Sequence, residues 1–179
     1  MILMVTGGSG SGKSEYAEDR AVLSGLPCRY YIATMKVWGR EERQRILRHQ
    51  AQRRGKGFST IEAQRDLEQI RLFTPPEQTA VLLECVTNLT ANELFEGDGE
   101  CEERILAGIG SLAAQCSLLV VVTGQVDQDD GDYDEGTRSY MRLLGRVNCR
   151  LAAMADQVVE TVAGIPVILK QNKKGGLPV

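Results

Sequence analysis

A glycine-rich loop near the start of the chain has the residue types needed to hold phosphate groups. Residues 7–14 read GGSGSGKS and match the pattern GxxxxGK[ST] directly after a short apolar run, MILMVT. In this setting successive backbone N–H groups can surround a phosphate, the lysine can reach the β- and γ-phosphates, and the final hydroxyl can bind Mg²⁺. The predicted nucleotide-binding residues are Gly7, Gly8, Ser9, Gly10, Ser11, Gly12, Lys13 and Ser14, with Lys13 catalytic and Ser14 the metal ligand. This loop alone does not separate kinases, ATPases, GTPases and passive nucleotide sensors.

The single histidine of the chain lies within a strongly basic segment. Seven of the 21 basic residues fall between Arg40 and Lys56, and His49 is among them. Positive neighbours favour a neutral imidazole, the nucleophilic form, and arginines can hold a polyphosphate close to it. Three interpretations stay open at this point: a solvated helix face, an RNA-binding helix, and a histidine that carries a phosphoryl or nucleotidyl group.

Glu84 ends the apolar run VLLE, where a carboxylate can bind Mg²⁺ through water, activate a hydroxyl or accept hydrogen bonds from a ribose or base. The alternative interpretation of Glu84 is an acid at a solvated strand end.

The six acidic residues of 127–136 do not form a calcium loop, because the sixth position counted from Asp127 is Asp132 rather than glycine. An arginine stripe in the last helix can meet solvent, a substrate phosphate or a neighbouring subunit; it comprises Arg138, Arg142, Arg146 and Arg150.

Strand and helix patterns alternate along the chain. The predicted strands are 1–6, 30–34, 81–85, 118–123 and a hairpin at 158–169 that turns at Ala163-Gly164, and the predicted helices are 13–24, 41–54, 67–73, 102–115 and 139–155. This alternation predicts an α/β fold with a mostly parallel central sheet, helices on both faces and a C-terminal hairpin. The glycine-rich loop between its first strand and first helix makes the predicted fold P-loop NTPase-like. Surface loops are predicted at 74–77 and 127–136. Ligands bind such sheets at the carboxyl ends of the strands.

Length and composition limit the remaining possibilities. The 179 residues predict one domain over 1–170 and a polar tail over 171–179. A net charge of −3 argues against nucleic acid or an anionic membrane as a partner, and the sequence pattern predicts a cytosolic protein without a membrane span or signal peptide. Five scattered cysteines without a CxxC pair argue against disulfides and zinc.

Taken in order, several segments resemble one known family, the bifunctional adenosylcobinamide kinase/adenosylcobinamide-phosphate guanylyltransferases of cobalamin biosynthesis. These segments are MILMVTGGSGSGKS, YIAT, ERQRILRHQAQRR followed by STIE, LLECVTNLTANELF and LLGRVNCRLAAMADQVVETVAGIPVILK. The resemblance implies phosphorylation of adenosylcobinamide by ATP or GTP, and then GMP transfer from GTP to adenosylcobinamide phosphate through a GMP–histidine intermediate. It also implies a homo-oligomer, of which a trimer is the expected form, with sites near subunit boundaries.

The resemblance assigns roles by position. It implies that His49 is the guanylylated catalytic nucleophile, and that further nucleotide contacts come from Ala33, Thr34, Met35, Gln50, Ala51, Gln52, Arg53, Glu62 and Glu84. The chain departs from the family where V(S/T)NEVG is usual, because residues 122–127 read VTGQVD. The following acidic loop lacks the family's proline, and Phe58 stands where tryptophan is common. Rival interpretations are a single-activity enzyme, a non-catalytic P-loop regulator and an RNA-binding module.

Overall fold

The computed structural model describes residues 1–36, 39, 54–97, 99–125 and 132–172. The predicted helix 41–54 lies outside these ranges except for Arg54, which is in a turn. The strands are β1 (Ile2–Thr6), β2 (Cys28–Ala33), β3 (Phe58–Glu62), β4 (Thr79–Glu84), β5 (Leu118–Val122), β6 (Gln157–Val162) and β7 (Ile165–Gln171). The helices are α1 (Lys13–Leu23), α2 (Val86–Glu96), α3 (Cys101–Ala114) and α4 (Glu135–Met154).

One seven-stranded sheet has the order β3-β2-β4-β5-β1-β6-β7. All neighbouring strands are parallel except β6 and β7, which form an antiparallel hairpin. The predicted mostly parallel sheet and C-terminal hairpin are therefore confirmed. Because all the parallel strands point the same way, the loop after β1 and the carboxylates ending β3 and β4 lie along one edge of the sheet.

Helices cover both faces, as predicted. On one face, Ala17 and Ala21 of α1 pack against Leu82 and Val120, and on the other Leu89, Ile109 and Leu144 of α2, α3 and α4 pack in a second cluster. The central strands are apolar throughout because both of their faces are buried. In the described residues, no helix combines the length and the apolar character that crossing a membrane requires.

Two elements were missing from the sequence prediction. β3 is an edge strand with a largely exposed FSTIE sequence, and α2 has a short amphipathic pattern that buries Val86, Leu89, Thr90 and Glu93. Both patterns are weak, because an edge strand lacks a continuous apolar run and a helix of three turns offers few periodic positions.

The predicted helix 67–73 is wrong: only Leu67–Gln69 forms one 3₁₀ turn. The side chain of Gln115 occupies the backbone groups that a helix would use, since its Oε1 accepts from Leu72 N at 3.0 Å and its Nε2 donates to Ile70 O at 3.1 Å.

The predicted surface loops at 74–77 and 127–136 are shorter in the structure, because a 3₁₀ turn covers Pro76–Gln78 and α4 begins at Glu135. Asp134 caps α4 by accepting from Thr137 N at 2.9 Å. β7 extends to Gln171, the first residue of the predicted tail.

Candidate nucleotide site

The glycine-rich loop joins β1 to α1, where the sequence predicted it. Lys13, the first residue of α1, folds back across the loop and donates from Nζ to Gly8 O at 2.8 Å. Within the loop Ser11 N donates to Gly8 O at 3.3 Å, and Tyr16 N donates to Gly12 O at 3.0 Å as the helix begins. These bonds give the loop its closed curvature and hold the ammonium group of Lys13 over it.

Two glycines of the loop are required by its geometry. Gly7 has φ +150°, and a Cβ atom there would lie 2.6 Å from Thr161 O. Gly12 has φ +89°, and its Cβ would lie 3.3 Å from Gly164 Cα. Any larger residue at position 7 must displace a backbone carbonyl, so the motif glycine is also a packing requirement.

The β6–β7 hairpin supports the loop from the far end of the chain. Thr161 Oγ1 and Ser11 Oγ lie 2.8 Å apart in a hydrogen bond, and Gly164 N donates to Ser11 O at 2.9 Å. Thr161 is almost fully buried, and its hydroxyl also lies 3.3 Å from Thr6 O. Sequence reasoning missed this support, although the hairpin itself was predicted, because nothing in the local pattern of 157–171 indicates contact with residue 11.

Glu84, at the end of β4, connects the sheet to α1, the helix that follows the glycine-rich loop. Its Oε1 accepts a short hydrogen bond from the Ser14 hydroxyl, and its Oε2 accepts from the Tyr31 hydroxyl at 3.1 Å. Both carboxylate oxygens thus receive an O–H donor. The predicted metal ligand and the predicted acidic strand end are in direct contact, and Tyr31 is a neighbour that sequence reasoning missed.

The remaining predicted contacts of β2 and β3 lie beside Glu84. In the sheet register Ala33 is paired with Glu84 on one side and with Glu62 on the other. Thr34, which is fully buried, exchanges hydrogen bonds with the backbone of Cys85: its Oγ1 donates to Cys85 O at 2.9 Å and accepts from Cys85 N at 2.8 Å. Thr34 is thus a structural clamp between β2 and β4, and Met35 follows it at the sheet edge.

Asn92 of α2 ties this edge together. Its Nδ2 donates to Thr34 O and to Gln64 O, each at 2.9 Å. Beyond it, a cleft of about 520 Å³ opens beside Glu62, and its lining includes Lys36, Glu62, Gln64, Arg65, Asp66 and Gln69. Arg65 Nε lies 3.7 Å from the buried carboxylate of Glu93, so this wall has a buried ionic support. The cleft has room for part of a nucleotide and offers both charged and amide groups to it.

Burial controls the titration of two groups under this edge. It raises the pKa of the Cys85 thiol, which makes this cysteine a poor nucleophile at neutral pH. Burial likewise raises the pKa of Tyr140 to about 12, so its hydroxyl stays protonated and donates to Thr87 O at 3.3 Å. Both groups therefore stay protonated at neutral pH.

Five predicted site residues lie outside the described ranges: His49, Gln50, Ala51, Gln52 and Arg53. The chain that follows them is firmly held. Lys56 Nζ donates to Glu18 Oε2 of α1 at 2.8 Å and to Asp19 Oδ1 at 3.3 Å, and Arg29 Nη1 donates to Lys56 O at 3.2 Å. Lys56, the last residue of the basic segment that contains His49, is therefore anchored to α1, the helix that begins at the glycine-rich loop.

The departure from the family pattern at 124 and 125 has a local structural role. Gly124 N donates to Thr87 Oγ1 at 2.8 Å, and a Cβ at this position would lie 3.1 Å from the same oxygen. Gln125 Nε2 donates to Glu160 Oε1 at 3.0 Å. Glycine thus permits a close approach of the segment after β5 to α2, and the amide pairs with a carboxylate on β6.

The arginine stripe of α4 is paired with carboxylates. Arg146 Nε donates to Glu102 Oε2 at 2.7 Å, and Arg150 contacts both Glu102 and Glu103. Hydrogen bonds from Arg146 and Arg150 lower the pKa of Glu102, and Arg150 does the same for Glu103. Arg138 and Arg142 likewise lie near acidic residues, Asp132 and Glu135. Across the part of the chain that the structure describes, no cluster of three His, Cys, Asp or Glu side chains could hold a metal ion.

The fold and the site define a P-loop nucleotide-binding protein of the α/β class. The fold resembles that of the flagellar accessory protein FlaH from Methanocaldococcus jannaschii, with a TM-score of 0.55 at 14% identity over 96% of this chain and 78% of that one. A likeness at this identity concerns the fold alone.

Sequence comparison identifies the family. Residues 3–169 match the model for cobinamide kinase / cobinamide phosphate guanyltransferase. The chain is 34% identical over 184 residues to the bifunctional adenosylcobalamin biosynthesis protein CobU of Escherichia coli K12. The match covers 95% of this chain and 100% of that protein. The chain's identity to CobU of Salmonella typhimurium LT2 is 35% with the same coverage. The chain belongs to this cobinamide kinase/guanyltransferase family, a family of transferases.

Proposed function

We propose that this chain phosphorylates the aminopropanol hydroxyl of adenosylcobinamide with ATP or GTP and then transfers GMP from GTP to that phosphate, giving adenosylcobinamide-GDP. The family match over residues 3–169 supports both reactions. The observation that carries the proposal is structural: the GGSGSGKS loop follows β1 directly and its Ser14 hydroxyl donates to Glu84 on β4. This contact joins a phosphate cradle to a carboxylate, as phosphoryl transfer requires.

The kinase step uses the loop and α1. The acceptor hydroxyl oxygen attacks the γ-phosphorus, the bond from that phosphorus to the bridging β–γ oxygen breaks, the nucleoside diphosphate leaves, and the hydroxyl proton passes to solvent water. Lys13 exchanges its contact with Gly8 O for the β- and γ-phosphate oxygens, and backbone N–H groups of the loop hold the β-phosphate. This neutralises charge as the leaving group forms.

The donor set at Ser14 and Glu84 fits Mg²⁺. A hydroxyl and a carboxylate are hard oxygen ligands, which this ion prefers over nitrogen or sulfur. Bound there with the nucleotide, Mg²⁺ would neutralise phosphate charge. The chain's own contribution is to hold the Ser14 oxygen toward the cradle, since the hydroxyl proton is already donated to Glu84.

The guanylyl step is assigned to His49. A neutral imidazole nitrogen attacks the α-phosphorus of GTP, forming an N–P bond while the α–β phosphoanhydride breaks and pyrophosphate leaves. The phosphate oxygen of adenosylcobinamide phosphate then attacks the same phosphorus and the N–P bond breaks, which returns the imidazole. We assign nucleotide contacts in this step to Gln50, Ala51, Gln52, Arg53, Ala33, Thr34, Met35, Glu62 and Glu84, on the strength of the family resemblance.

Assembly belongs to the same proposal. We propose that residues 1–170 form the single nucleotide-binding domain, that 171–179 is a polar tail, and that copies associate as a homo-oligomer, a trimer by family resemblance. Support for association comes from β7, an edge strand of the sheet that leaves Ile165 and Leu169 more than half exposed. The cytosolic location stays a prediction.

Intact-protein mass spectrometry after incubation with GTP and Mg²⁺ at neutral pH tests the guanylyl step. Wild type is expected to gain the mass of one GMP, and His49→Ala is expected to gain none while still binding GTP. Lys13→Ala serves as the control for nucleotide binding, because it removes the loop cation and leaves the histidine in place. A folded, GTP-binding wild type without an adduct would remove the histidine mechanism.

Transfer of labelled γ-phosphate to adenosylcobinamide tests the kinase step separately. His49→Ala is expected to keep this activity and Lys13→Ala to lose at least about a hundredfold. A protein that binds GTP but gives neither labelled acceptor nor pyrophosphate is a regulator. One that gives a single product is a single-activity enzyme.

A further inference from the structure

The Tyr31 hydroxyl is the second donor to the Glu84 carboxylate, and its position follows from the register of the sheet. Tyr31 on β2 is paired with Leu82 on β4, so Glu84 lies two residues further along the partner strand and on the same face. With a rise of about 3.3 Å per residue and a strand spacing of about 4.8 Å, such diagonal neighbours are about 8 Å apart, which a long aromatic side chain can span. The observed O–H···O distance of 3.1 Å is the result.

The tyrosine ring is held in place by the packing around it. Its residue is 5% exposed and packs in the α1-facing cluster with Ala17 and Leu82. Phe58 of β3 meets the ring edge-on, with centroids 6.4 Å apart and planes at 81°. A hydroxyl on a ring held from several sides is a rigid hydrogen-bond donor.

A rigid donor matters here because this strand ends in glutamate. The carboxylate that P-loop proteins place beside Mg²⁺ is usually aspartate. Glutamate has one more methylene group and one more torsion, so its carboxylate has more accessible positions, and fixing it costs more side-chain entropy. Ser14 fixes one oxygen only; with Tyr31 on the other oxygen, the plane of the carboxylate is set.

We propose that Tyr31 is a positioning residue that holds Glu84 so that the Ser14 hydroxyl faces the nucleotide phosphates and Mg²⁺. This inference rests on the proposed phosphoryl transfer for its functional effect. In this role Tyr31 acts through Glu84, to which its hydroxyl donates. The tyrosine and the longer acid together take the place of a single shorter aspartate.

The direct test is Tyr31→Phe, which removes one oxygen atom and keeps the ring in its packed site. The Mg²⁺ concentration for half-maximal phosphoryl transfer is expected to rise about tenfold, the effect of losing one hydrogen bond to a charged group. The nucleotide affinity measured without Mg²⁺ is expected to change by less than about twofold, since the loop cradle is untouched.

Tyr30→Phe is the matched control. Tyr30 is the preceding residue of the same strand and packs against the opposite cluster, so its variant is expected to match wild type in Mg²⁺ dependence. Thermal melts of both variants check that each is folded. If Tyr31→Phe leaves the Mg²⁺ requirement at the wild-type value, or if Tyr30→Phe raises it equally, the positioning role is overturned.

A double-mutant cycle with Glu84→Asp separates positioning from packing. The shorter acid cannot reach the Tyr31 hydroxyl, so Tyr31→Phe is expected to change the Mg²⁺ requirement less than about twofold in the Glu84→Asp background. An equal tenfold effect in both backgrounds would show that the hydroxyl acts elsewhere.

The same four proteins of the double-mutant cycle are also compared by calorimetry, which measures how their binding of a non-hydrolysable GTP analogue depends on Mg²⁺. This readout needs no turnover. Absence of kinase activity in wild type would therefore defeat the proposed function while the binding cycle still decides the role of Tyr31.

Discussion

Two regions of this molecule are rich in polar contacts, and they differ in what those contacts can do. Around the glycine-rich loop, contacts join distant parts of the chain and each has one buried partner, such as Thr161 with Ser11 and Glu18 with Lys56. Along α3 and α4, the partners are exposed arginines and glutamates, such as Arg150 and Glu103. Exposed ion pairs contribute little because water screens them, whereas a buried carboxylate must keep its partner. Burial, and not the number of contacts, should therefore decide which region tolerates change.

The largest effect is expected from Gly7→Ala. The new Cβ would lie 2.6 Å from Thr161 O at a φ of +150°, so the loop or the hairpin must move. Nucleotide affinity should fall by up to about a hundredfold, the equivalent of the roughly 1–3 kcal/mol that backbone strain costs. Calorimetric titration with GTP measures this. Gly110→Ala on α3 is the control, because no atom lies within 4 Å of a Cβ there and the position lies outside the loop, and equal losses in the two variants would contradict the role of the hairpin.

A smaller but global effect is expected from Lys56→Met. Glu18 is 1% exposed, and its Oε1 has no hydrogen-bond partner among the described residues. Removing the lysine would leave this carboxylate buried without its counter-charge. We expect a loss of about 2 kcal/mol in the free energy of unfolding, below the full cost of breaking a buried pair because Lys56 is partly solvated. Urea denaturation measures it.

The matched control for Lys56→Met is Asp19→Asn, which removes a half-exposed partner of the same ammonium group. Asp19→Asn is expected to lower the free energy of unfolding by much less than Lys56→Met, and a comparable loss would show that burial is not the deciding factor.

The stabilisation by Lys56 depends on pH with a defined sign. Burial alone lowers the pKa of Lys56, but Glu18 and Asp19 outweigh it and raise the pKa. The stabilisation is thus complete below pH about 10.4 and is lost as the pH rises through the folded-state pKa.

The smallest effect is expected from Arg150→Gln on the α3–α4 surface. Melting temperature at pH 7 should change by less than about 2 °C, since Arg150 and Glu103 are both exposed. Arg150 lowers the pKa of Glu103, so any difference from wild type should be present above pH about 4.3 and fade as the pH falls through the folded-state pKa. Thermal melts at pH 7 and pH 3 check both statements. A destabilisation as large as that of Lys56→Met would erase the contrast between the two regions.

The sequence predicted the parts of the site that are local in the chain. GGSGSGKS is contiguous and lies between a strand and a helix, and Glu84 ends an apolar run, so pattern alone located both. Tyr31 and Thr161 were not predicted, because their roles depend on the register between β2 and β4 and on a contact between residues 11 and 161. The false helix at 67–73 has the same origin: one distant glutamine side chain occupies its backbone groups.

The support of the glycine-rich loop by the last hairpin also orders events in time. Residues 1–14 leave the ribosome long before Thr161 and Gly164, the residues that hold Ser11 in place. A contact this distant along the chain cannot form early in synthesis. The nascent chain therefore completes the support of its glycine-rich loop only after the β6–β7 hairpin has been synthesised.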